Sequence, residues 1–472
     1  MSNDPTPEQQ AILDLVRTSK SNLLINAYAG TGKTTTLEMI ERATKLMPVL
    51  YLCFNKRIAE EAKLRMLSST SVKTFNGIGH TIWARSVNKN LTLDPKKSQT
   101  ILSGLIKATP KHVQDVMWSC FWEVIQGVSL AKALGYIPEG KFPIATPLIT
   151  SGLFHSALDE TPDDLTSDLI DEILTRSITA SYAGQIDYND QIYMPALFGG
   201  TFPKFPLVLV DEAQDMSPVN HALLERLCKA SRVIAVGDPQ QSIYAFRGAK
   251  AKGMQELQAK YSMTSTDLSV SFRCPSAIVE AARWRVPSFT AFREGGHVEQ
   301  LKRLSLDSLG PTPTFLCRNN APLLSIAFRL LSSGRSVSVA GSDVGPKLIA
   351  LMGKLGSDDM GRSATLDSIA EWEAEREDRG STTAHDLAAC MRVFASHGET
   401  LAQAILYAQH LFAQKGSVQF MTGHKAKGLE FDEVYFLDPQ LCRDDEQDLN
   451  LKYVITTRSK DKLYFIESRN IQ

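Results

Sequence analysis

The sequence shows no excess of charge of either sign. Its 51 lysines and arginines are balanced by 52 aspartates and glutamates, so the net charge of the 472-residue chain is −1 at pH 7. A strongly basic total would have indicated a nucleic-acid partner. Its absence excludes a uniformly basic protein but leaves a nucleic-acid groove open, because such a groove needs only a local cluster of cations.

Cysteine is scarce, and long apolar runs are missing. The seven cysteines are scattered and form no C-x2-C pair, which argues against a zinc site and against a disulfide framework. No stretch approaches the ~18 apolar residues of a membrane span. The first ten residues lack the apolar segment of a signal peptide. We therefore expect a soluble, cytoplasmic protein with no membrane partner.

The sequence does contain a strand, a glycine-bearing loop and a helix start in direct succession. Residues 23–25 predict a buried strand, residues 27–32 a tight loop, and a helix begins at Lys33. Such a loop points backbone N–H groups at a phosphate, Lys33 can reach the β- and γ-phosphates, and the Thr34 hydroxyl can bind Mg²⁺. The usual G-x4-G-K-[ST] pattern has Ala27 in place of its first glycine. An ordinary glycine turn before a helix is the alternative to a nucleotide site formed by Ala29, Gly30, Thr31, Gly32, Lys33, Thr34 and Thr35.

A second signal is the acidic pair Asp211 and Glu212, which follows the continuous apolar run at 206–210. A carboxylate at the end of a buried strand can hold Mg²⁺ opposite a phosphate loop, and its neighbour can polarise the attacking water. An Asp-Glu pair alone means little. Together with the loop, it predicts hydrolysis of a nucleoside triphosphate with Mg²⁺.

Strands and helices alternate in two parts of the chain. The predicted strands lie at 23–25, 49–54, 72–75, 206–210 and 232–236 and, in a second series, at 268–273, 313–318, 336–340, 418–421, 433–437 and 462–466. We predict an α/β protein with two parallel-sheet core domains, each interrupted by a mainly helical insertion. The predicted boundaries are 1–79 with 207–267 for the first core, 80–206 for its insertion, 268–341 with 417–472 for the second core, and 342–416 for its short insertion.

Two features of the insertions allow both a structural and a functional interpretation. Trp118 and Trp122 lie four residues apart in the helix-periodic stretch 113–134, and we expect them to pack in the core rather than to form a binding box. The charged run at 371–379 predicts a solvated helix face.

Four ordered segments resemble the motifs of superfamily 1 helicases of the UvrD/Rep type. They are LVLVDEAQD at 207–215, VGDPQQSIYAFRGA at 236–249, MTGHKAKGLEF at 421–431 and YVITTR at 453–458. FNKRIAEEAK, VKTFNGIGH and LSVSFRCP are similar to the F-box DNA helicase branch in particular. We expect no F-box, because the helicase pattern begins at the N-terminus. The resemblance implies that both cores are RecA-like.

The resemblance also implies roles around ATP. Lys33 would contact phosphate, Thr34 and Asp211 would bind Mg²⁺, and Glu212 would act as the general base. Gln241 would sense the γ-phosphate, Phe272 would stack on the base, Glu430 would contact the nucleotide sugar, and Gln9 would read adenine. Arg273 and Arg458 would make catalytic contacts from the second core. For the two arginines the alternative is an ordinary salt bridge. For Gln9, three residues after Thr6, it is a helix capping box.

Further positions correspond to single-stranded DNA contacts in the family: Phe54, Asn55, Thr74, Phe75, Tyr244, Phe246, Arg247, Arg318 and His424. An aromatic ring such as Phe246 can stack on any base without reading sequence. Phe246 lies only a few residues after Gln241 in the same segment. ATP hydrolysis that moves Gln241 could therefore also move a base stacked on Phe246. For Phe54 and Phe75 the alternative is a place in the core, and for the two arginines it is structural pairing.

The resemblance implies an ATP-dependent DNA helicase or translocase that moves 3′→5′ on single strands in DNA replication, recombination or repair. Its expected ligands are ATP, Mg²⁺, single-stranded DNA and junctions with duplex. We expect a monomer with a possible protein partner, such as a nuclease or a replication or repair factor. The insertion at 342–416 is much shorter than its counterpart in UvrD/Rep enzymes. The alternative is therefore an ATP-driven DNA-binding switch that strips proteins from DNA, or gates a partner nuclease, without unwinding.

Overall fold

The computed structural model describes residues 4–159, 162–245, 248, 252–340 and 344–471. The chain divides into two compact units. The first comprises Met1–Tyr28 and Gly32–Leu268, and the second comprises Ala29–Thr31 and Ser269–Gln472. The finer division of each unit into a core and an insertion stays a prediction.

The first unit is built on a parallel six-stranded sheet. The eight strands of the unit are β1 Leu23–Ala27, β2 Val49–Cys53, β3 Ser71–Thr74, β4 Thr92–Leu93, β5 Gln185–Ile186, β6 Leu207–Val210, β7 Arg232–Gly237 and β8 Thr264–Leu268. The sheet order is β3-β2-β6-β7-β1-β8, and β4 pairs separately with β5. Strands β2 and β6 are buried along their whole length, as expected for central parallel strands covered on both faces.

Helices cover both faces of this sheet. They are α1 Pro7–Thr18, α2 Lys33–Ala43, α3 Lys56–Arg65, α4 Phe75–Val87, α5 Lys97–Ala108, α6 Lys111–Ser119, α7 Phe121–Leu134, α8 Ser151–His155, α9 Asp164–Tyr182, α10 Asp190–Phe198, α11 Pro218–Leu227 and α12 Gly253–Lys260. One hydrophobic cluster joins β1 and β2 to α1–α3, through residues such as Ile12 and Leu37. On the other face, Leu50 and Val208 belong to one cluster with Val124 of the helical insertion. The insertion thus shares a core with the sheet.

The predicted helix at 113–134 is wrong in its continuity and in its buried face. It is broken at Cys120 into α6 and α7. Trp118 is 38% exposed and Trp122 is 54% exposed, so these side chains do not lie in the core. The physical reason is that Cys120, with φ −90° and ψ 5°, lies between two separate helices, so the i, i+4 face of one continuous helix does not exist.

The second unit contains another parallel six-stranded sheet. The eight strands of the unit are β9 Val270–Ser271, β10 Thr290–Ala291, β11 His297–Gln300, β12 Thr314–Cys317, β13 Val337–Val339, β14 Val418–Thr422, β15 Phe431–Leu437 and β16 Ser459–Ile466. The sheet order is β11-β16-β15-β12-β14-β13, and β9 pairs with β10 alone. The prediction of an α/β fold with two RecA-like parallel-sheet cores is confirmed.

The helices of the second unit pack mainly against this sheet and each other. They are α13 Ser276–Ala282, α14 Asn320–Ser332, α15 Val344–Met352, α16 Arg362–Asp378, α17 Ala384–Ala395, α18 Leu401–Ala413, α19 Gly423–Ala426 and α20 Glu446–Thr456. Leu348, Ile369 and Phe394 of α15–α17 lie in one hydrophobic cluster with Phe315 and Phe420 of the sheet. The short insertion therefore packs onto its own core.

The charged run at 371–379 lies at the end of α16 and is mostly exposed, as predicted. Glu373 is half-buried, and it pairs with Arg392 and with His385. The prediction of one strand at 268–273 is wrong. Leu268 ends β8 in the first unit, and only Val270–Ser271 forms the following strand.

Strands β8 and β11 were not predicted at all. Both lie at sheet edges, and their sequences TSTDL and HVEQ are polar and largely exposed. An edge strand is held by backbone hydrogen bonds to one neighbour and does not need a continuous apolar run. Hydrophobic patterning therefore gave no signal for them.

Among the described residues, no helix combines the length and the apolar character that a membrane crossing requires.

Candidate active site

The phosphate loop leads from β1 into α2. Gly32 has a left-handed backbone (φ 81°) and caps α2 without any side-chain hydrogen bond to its first N–H groups. The first turn, which holds Lys33, Thr34 and Thr35, contains no acidic residue. A helix N-terminus with no side-chain cap and no acidic residue in its first turn favours a bound anion.

The carboxylates after β6 lie beside this turn. Lys33 Nζ is 3.6 Å from Glu212 Oε2 and donates to the Ala27 carbonyl at 3.5 Å. Parallel strands β1 and β6 end at the same edge of the sheet, which explains the meeting of residues far apart in sequence. The structure thus brings Lys33 and the Asp211–Glu212 pair together within the first unit.

Asp211 is a buried carboxylate with few compensating partners. Its Oδ2 accepts from the Tyr51 hydroxyl at 2.5 Å, and its Oδ1 accepts from the Glu212 N–H at 2.9 Å. Burial and the charge of Glu212 raise the pKa of Asp211 to about 6, while the Tyr51 hydrogen bond and Lys33 oppose this. A divalent cation would stabilise the ionised form of such a group, so the site fits Mg²⁺.

Glu212 occupies a strained backbone position. Its φ of 51° lies in the left-handed region, which is uncommon for a residue with a side chain. Such strain is often found at functional positions, where the surrounding structure holds it in place. Here it orients the carboxylate towards Lys33 and towards the amide of Gln214, whose Nε2 donates to Glu212 Oε2 at 2.6 Å.

Gln214 is a functional candidate that the sequence reasoning missed. It is 1% exposed, and its Oε1 accepts from the Asp238 N–H at 3.0 Å. A Cβ at Gly237 would lie 2.5 Å from that Oε1, so a side chain there would displace the Gln214 amide. The amide connects Glu212 to the segment after β7. Its only sequence signal was its place in LVLVDEAQD.

Gln241 lies in the short 3-10 turn Pro239–Gln241 that follows β7. Its Nε2 donates to Asp238 Oδ2 at 2.6 Å, and both side chains are buried. Burial raises the pKa of Asp238, and the charge of Lys33 opposes that rise. The structure places Gln241 at the same sheet edge as Lys33, while its contact with a γ-phosphate stays a prediction.

Gln9 forms the predicted capping box and makes one more contact. Its Oε1 accepts from the Thr6 N–H at 2.9 Å, its own N–H donates to Thr6 Oγ1 at 3.2 Å, and its Nε2 donates to Thr36 Oγ1 at 3.0 Å. The 4% exposed side chain therefore fixes α1 against α2. The role towards adenine remains a prediction.

Three residues of the phosphate loop belong to the second unit. The Ala29 carbonyl accepts from Ser271 Oγ at 2.8 Å, and the Ala29 N–H donates to the Tyr453 hydroxyl at 3.2 Å. The Gly30 carbonyl accepts from the Phe272 N–H at 2.9 Å. A Cβ on Gly30, whose φ is 71°, would lie 2.4 Å from Arg273 Cβ. Gly30 is thus required by packing as well as by its backbone angle.

Arg273 and Glu430, predicted separately, form an ion pair in the second unit. Arg273 Nε donates to Glu430 Oε2 at 2.8 Å, and the Glu430 side chain is 48% exposed. Phe272, next to Arg273, packs its ring against Phe292 with centroids 4.9 Å apart. Arg273 therefore forms the salt bridge that was named as the alternative to its catalytic role. Phe272 lies in the same cluster.

The Arg458 side chain is buried and not exposed to solvent. It is 1% exposed, and its guanidinium donates to the carbonyl oxygens of Val454 at 2.9 Å and Leu429 at 3.1 Å. These contacts hold the start of β16 next to the end of α20. Its catalytic role remains a prediction.

Among the predicted strand contacts of the first unit, two side chains cap helices. Asn55 Oδ1 accepts from the Ile58 N–H, and Thr74 Oγ1 accepts from the Gly77 N–H, at the starts of α3 and α4. Phe75 is 1% exposed and packs against half-buried Phe54 with ring centroids 5.2 Å apart. Phe75 thus occupies the core position given as its alternative, and its contact with DNA stays a prediction.

The remaining strand contacts differ in their surroundings. Arg318 donates to Asp448 Oδ2 at 2.7 Å, which is the structural pairing given as its alternative. His424 lies half-buried on α19, after β14, and Tyr244 is half-buried after the 3-10 turn of Gln241. Phe246 and Arg247 lie outside the described residues.

Two RecA-like cores, one with a phosphate loop and an Asp-Glu pair at its strand ends, define a P-loop protein of the two-core type. The family described as the UvrD/REP helicase N-terminal domain matches residues 190–262, and the UvrD-like helicase C-terminal domain matches residues 417–466. These matches and the relatives below show that the chain is similar to UvrD-type helicases of superfamily 1.

Relatives align along most of the chain. The F-box DNA helicase protein 1 of Schizosaccharomyces pombe is 24% identical over 97% of this chain and 57% of its own length. F-box DNA helicase 1 of Gallus gallus is 26% identical over 98% of this chain and 49% of its own length. DNA helicase II of Escherichia coli is 28% identical over 57% of this chain and 39% of its own length. The chain therefore spans about half the length, or less, of these relatives.

Proposed function

We propose that the protein is an ATP-dependent DNA translocase with helicase activity that moves 3′→5′ on single strands. The observation that supports it best is Lys33 beside the Asp211–Glu212 pair at the N-terminus of α2. This arrangement offers a cation for phosphate, a metal ligand and a base at one sheet edge. The DNA substrate and the direction are supported by the family resemblance.

The residues of the first unit fit Mg²⁺ and ATP. Bound Mg²⁺ would neutralise phosphate charge and orient the nucleotide. Asp211 and the Thr34 hydroxyl would hold the ion, and Lys33 would donate to phosphate oxygens. Glu212 would accept a proton from the attacking water, with its carboxylate held in position by Gln214.

Lys33→Ala tests the nucleotide site. It should abolish ATP hydrolysis and leave the fold intact, because the Lys33 ammonium acts on phosphate charge and makes only long contacts to Glu212 and to the Ala27 carbonyl. The measurement is ATPase turnover with thermal unfolding as a check on folding. Lys45→Ala, which removes an exposed lysine just after α2, is the matched control and should retain full activity. Near-normal turnover in Lys33→Ala would show that the site is assigned wrongly.

Strand displacement tests the substrate and the direction. A 3′→5′ translocase should unwind a duplex with a 3′ single-stranded tail and should not unwind one with a 5′ tail. ATPase turnover should rise when single-stranded DNA is added. Unwinding of only the 5′-tailed duplex would reverse the proposed direction.

One observation favours a second candidate function, a DNA-binding switch that removes proteins or gates a nuclease without unwinding. Helices α15–α17 share the hydrophobic cluster of their own sheet. Separating a duplex costs about 1.4 kcal/mol per base-pair step, and an insertion packed in this way offers less surface for the duplex. Single-strand-stimulated ATPase without displacement on either tailed duplex would support this candidate.

We also propose a monomer that acts at junctions of single-stranded and duplex DNA in replication, recombination or repair. A nuclease or a repair factor is the proposed kind of protein partner. Light scattering of the purified chain with and without DNA tests the oligomeric state, and a dimer on DNA would contradict this part of the proposal.

A further inference from the structure

Strand β2 carries a tyrosine inside the core of the first sheet. Every residue of β2 is buried, and Tyr51 at its centre is 0% exposed. Its ring lies in the hydrophobic cluster of β1, β2 and α1–α3, together with aliphatic side chains such as Ile25 and Leu209. A buried hydroxyl group destabilises a core unless it finds a hydrogen-bond partner. A phenylalanine would supply the same ring without that requirement, so the hydroxyl itself indicates a specific role.

The partner of this hydroxyl is the carboxylate of Asp211. Within the part of the chain that the structure describes, the Tyr51 hydroxyl makes one hydrogen bond, to Asp211 Oδ2 at 2.5 Å. Hydroxyl groups that donate to an ionised carboxylate lie about 2.5–2.7 Å from it, so the bond is of the strong, charge-assisted kind. A tyrosine keeps its proton at pH 7 and is therefore the donor. Tyr51 thus acts directly on the residue that is proposed to bind Mg²⁺.

The two residues are held by neighbouring strands of one sheet. Strands β2 and β6 pair in parallel, with Tyr51 opposite Leu209. The ladder continues one step beyond β6, because the Asp211 N–H donates to the Leu52 carbonyl at 2.9 Å. Both backbones are therefore fixed by the sheet, and the bond between the two side chains does not depend on a mobile loop.

The hydroxyl fixes one of the two oxygens of this carboxylate. Oδ2 of Asp211 accepts from Tyr51, and Oδ1 accepts from the Glu212 N–H at 2.9 Å. Donors on both oxygens hold the carboxylate against rotation about its own bond to the chain. A carboxylate offers about four lone-pair positions in all, so two remain for a cation. A ligand that is already oriented loses less conformational freedom when it binds.

We propose that Tyr51 is a positioning residue for the magnesium site, where its hydroxyl holds the Asp211 carboxylate in place for Mg²⁺ bound with the nucleotide. This inference rests on the proposed function, because it concerns the same ATP site. Hydrogen-bond partners of metal ligands typically contribute about 10- to 100-fold to metal affinity or activity. Magnesium in nucleotide sites is held by carboxylates and by substrate phosphates together, so its loss weakens nucleotide binding.

A hydroxyl that only stabilises the fold would act differently. It would affect nucleotide binding to the same extent whether or not Mg²⁺ is present, because the metal would not pass through it. A positioning residue for the metal ligand acts only on the part of the affinity that Mg²⁺ adds. The ratio of the dissociation constants with and without Mg²⁺ separates the two roles.

The test measures the affinity of the full chain for a fluorescent, non-hydrolysable ATP analogue, once in Mg²⁺ and once in EDTA. Tyr51→Phe removes the hydroxyl and keeps the ring. Its Kd in Mg²⁺ should rise at least about tenfold, and its Kd in EDTA should stay unchanged. The concentration of free Mg²⁺ that gives half-maximal ATPase turnover should rise by a similar factor.

Tyr193→Phe is the matched control in the helical insertion. Tyr193 is also 0% exposed, and its hydroxyl donates to the Tyr136 carbonyl at 2.6 Å. This variant removes a buried phenolic hydroxyl that does not contact Asp211, so the ratio of the two constants should match that of the unmodified chain. Thermal unfolding verifies that both variants fold.

A second comparison tests whether Tyr51 acts through Asp211. Asp211→Asn should lose most of the affinity that Mg²⁺ adds, because the charged ligand is gone. Adding Tyr51→Phe to Asp211→Asn should then cause no further loss, since residues that act through one contact are not additive. A further loss in the double variant equal to that of Tyr51→Phe alone would contradict a role through the carboxylate.

An unchanged ratio in Tyr51→Phe, or an equal change of the ratio in Tyr193→Phe, would overturn the inference. The proposed function survives that result if the unmodified chain binds the analogue more tightly in Mg²⁺ than in EDTA and hydrolyses ATP. An unmodified chain that binds no ATP analogue under either condition would overturn both the inference and the proposed function.

Discussion

At the scale of single residues, the candidate active site depends on a few buried polar groups that fix one another. Glu212 is held in a left-handed backbone conformation, and its carboxylate lies between Lys33 and the Gln214 amide. The other end of that amide holds Asp238, next to Gln241. A shift of the segment after β7 would therefore change the orientation of Glu212 through a single side chain.

Gln214→Met should lower kcat about 10- to 100-fold, the loss typical when a group that orients an active-site ligand is removed. Methionine keeps the approximate volume but cannot donate to Glu212 or accept from Asp238. KM for ATP should change little, because Gln214 contacts neither Lys33 nor Thr34 in the described hydrogen bonds. Steady-state ATPase kinetics measure both constants. Gln255→Met on α12, at an exposed position, should behave as the unmodified chain.

A rise in KM alone for Gln214→Met would contradict a role in positioning the base. The same pattern in Gln255→Met would mean that the substitution acts through general stability.

Arg458→Ala should reduce kcat strongly with little change in ATP binding, because a guanidinium acts mainly on charge that develops in the transition state. The structure adds a second expectation. Removing this buried group takes the guanidinium donor from the Leu429 carbonyl and leaves the Val454 carbonyl with the Thr457 hydroxyl, which should cost about 1–3 kcal/mol of stability. ATPase kinetics and urea denaturation measure the two effects. A stability loss with normal kcat would reduce Arg458 to a structural residue.

At the scale of elements, four buried charges join α5, α7 and α10 of the insertion. Lys97 and Lys132 are 3% and 1% exposed, and they pair with Asp190 and Asp187. Burial raises the pKa of Asp187, but Lys132 outweighs this effect and lowers it to about 2. Burial lowers the pKa of Lys97 more than Asp190 raises it. The ionised form of Asp187 is thus stabilised by Lys132.

Lys132→Met should destabilise the chain by about 3–5 kcal/mol at pH 7, because it leaves a buried carboxylate without its partner. The pKa of Asp187 is lowered by folding, so its stabilising contribution is complete above pH ~4 and is lost as pH falls from ~4 to ~2. The difference between the variant and the unmodified chain should therefore shrink at the acid end. Urea denaturation at pH 7 and near pH 3 measures it.

Lys141→Met is the matched control, since Lys141 is exposed in the same insertion, and its stability should change by no more than about 0.5 kcal/mol. An equal loss for Lys132→Met at both pH values would show that its charge is not what stabilises the buried carboxylates.

At the scale of the whole molecule, charge is balanced overall but distributed locally. The net charge is −1, yet Lys73 and the helix α2 N-terminus lie at the carboxyl edge of the first sheet. Phosphate contacts in a local groove release counterions regardless of net charge. The affinity for single strands is therefore expected to depend on salt.

Single-strand affinity should fall as salt rises, with a slope of about 0.7 per phosphate contact on a double-logarithmic plot. Lys73→Met should lower that slope by about one contact. Fluorescence titrations from low to physiological ionic strength measure the slopes of the unmodified chain and of the variant. A methylphosphonate oligonucleotide, which lacks backbone charge, is the control and should bind weakly at all salt concentrations. A flat titration with normal DNA would contradict an electrostatic groove.

The sequence by itself determined the α/β class, the central strands and the motif positions. Central strands of parallel sheets are continuous apolar runs, and a phosphate loop needs its glycines and lysine at fixed spacing, so both signals are local. The meeting of Lys33 with Asp211 and Glu212 also followed, because parallel strands end at one edge.

Tertiary structure alone decided which surfaces are covered. The polar edge strands β8 and β11, the burial of Phe75 and the pairing of Arg318 with Asp448 depend on neighbours that come from distant parts of the chain. The same is true of the Gln214 bridge and of the exposed Trp118 and Trp122. Periodicity marks the apolar side of a helix, but only packing in three dimensions determines whether another element buries that side or leaves it open to a ligand.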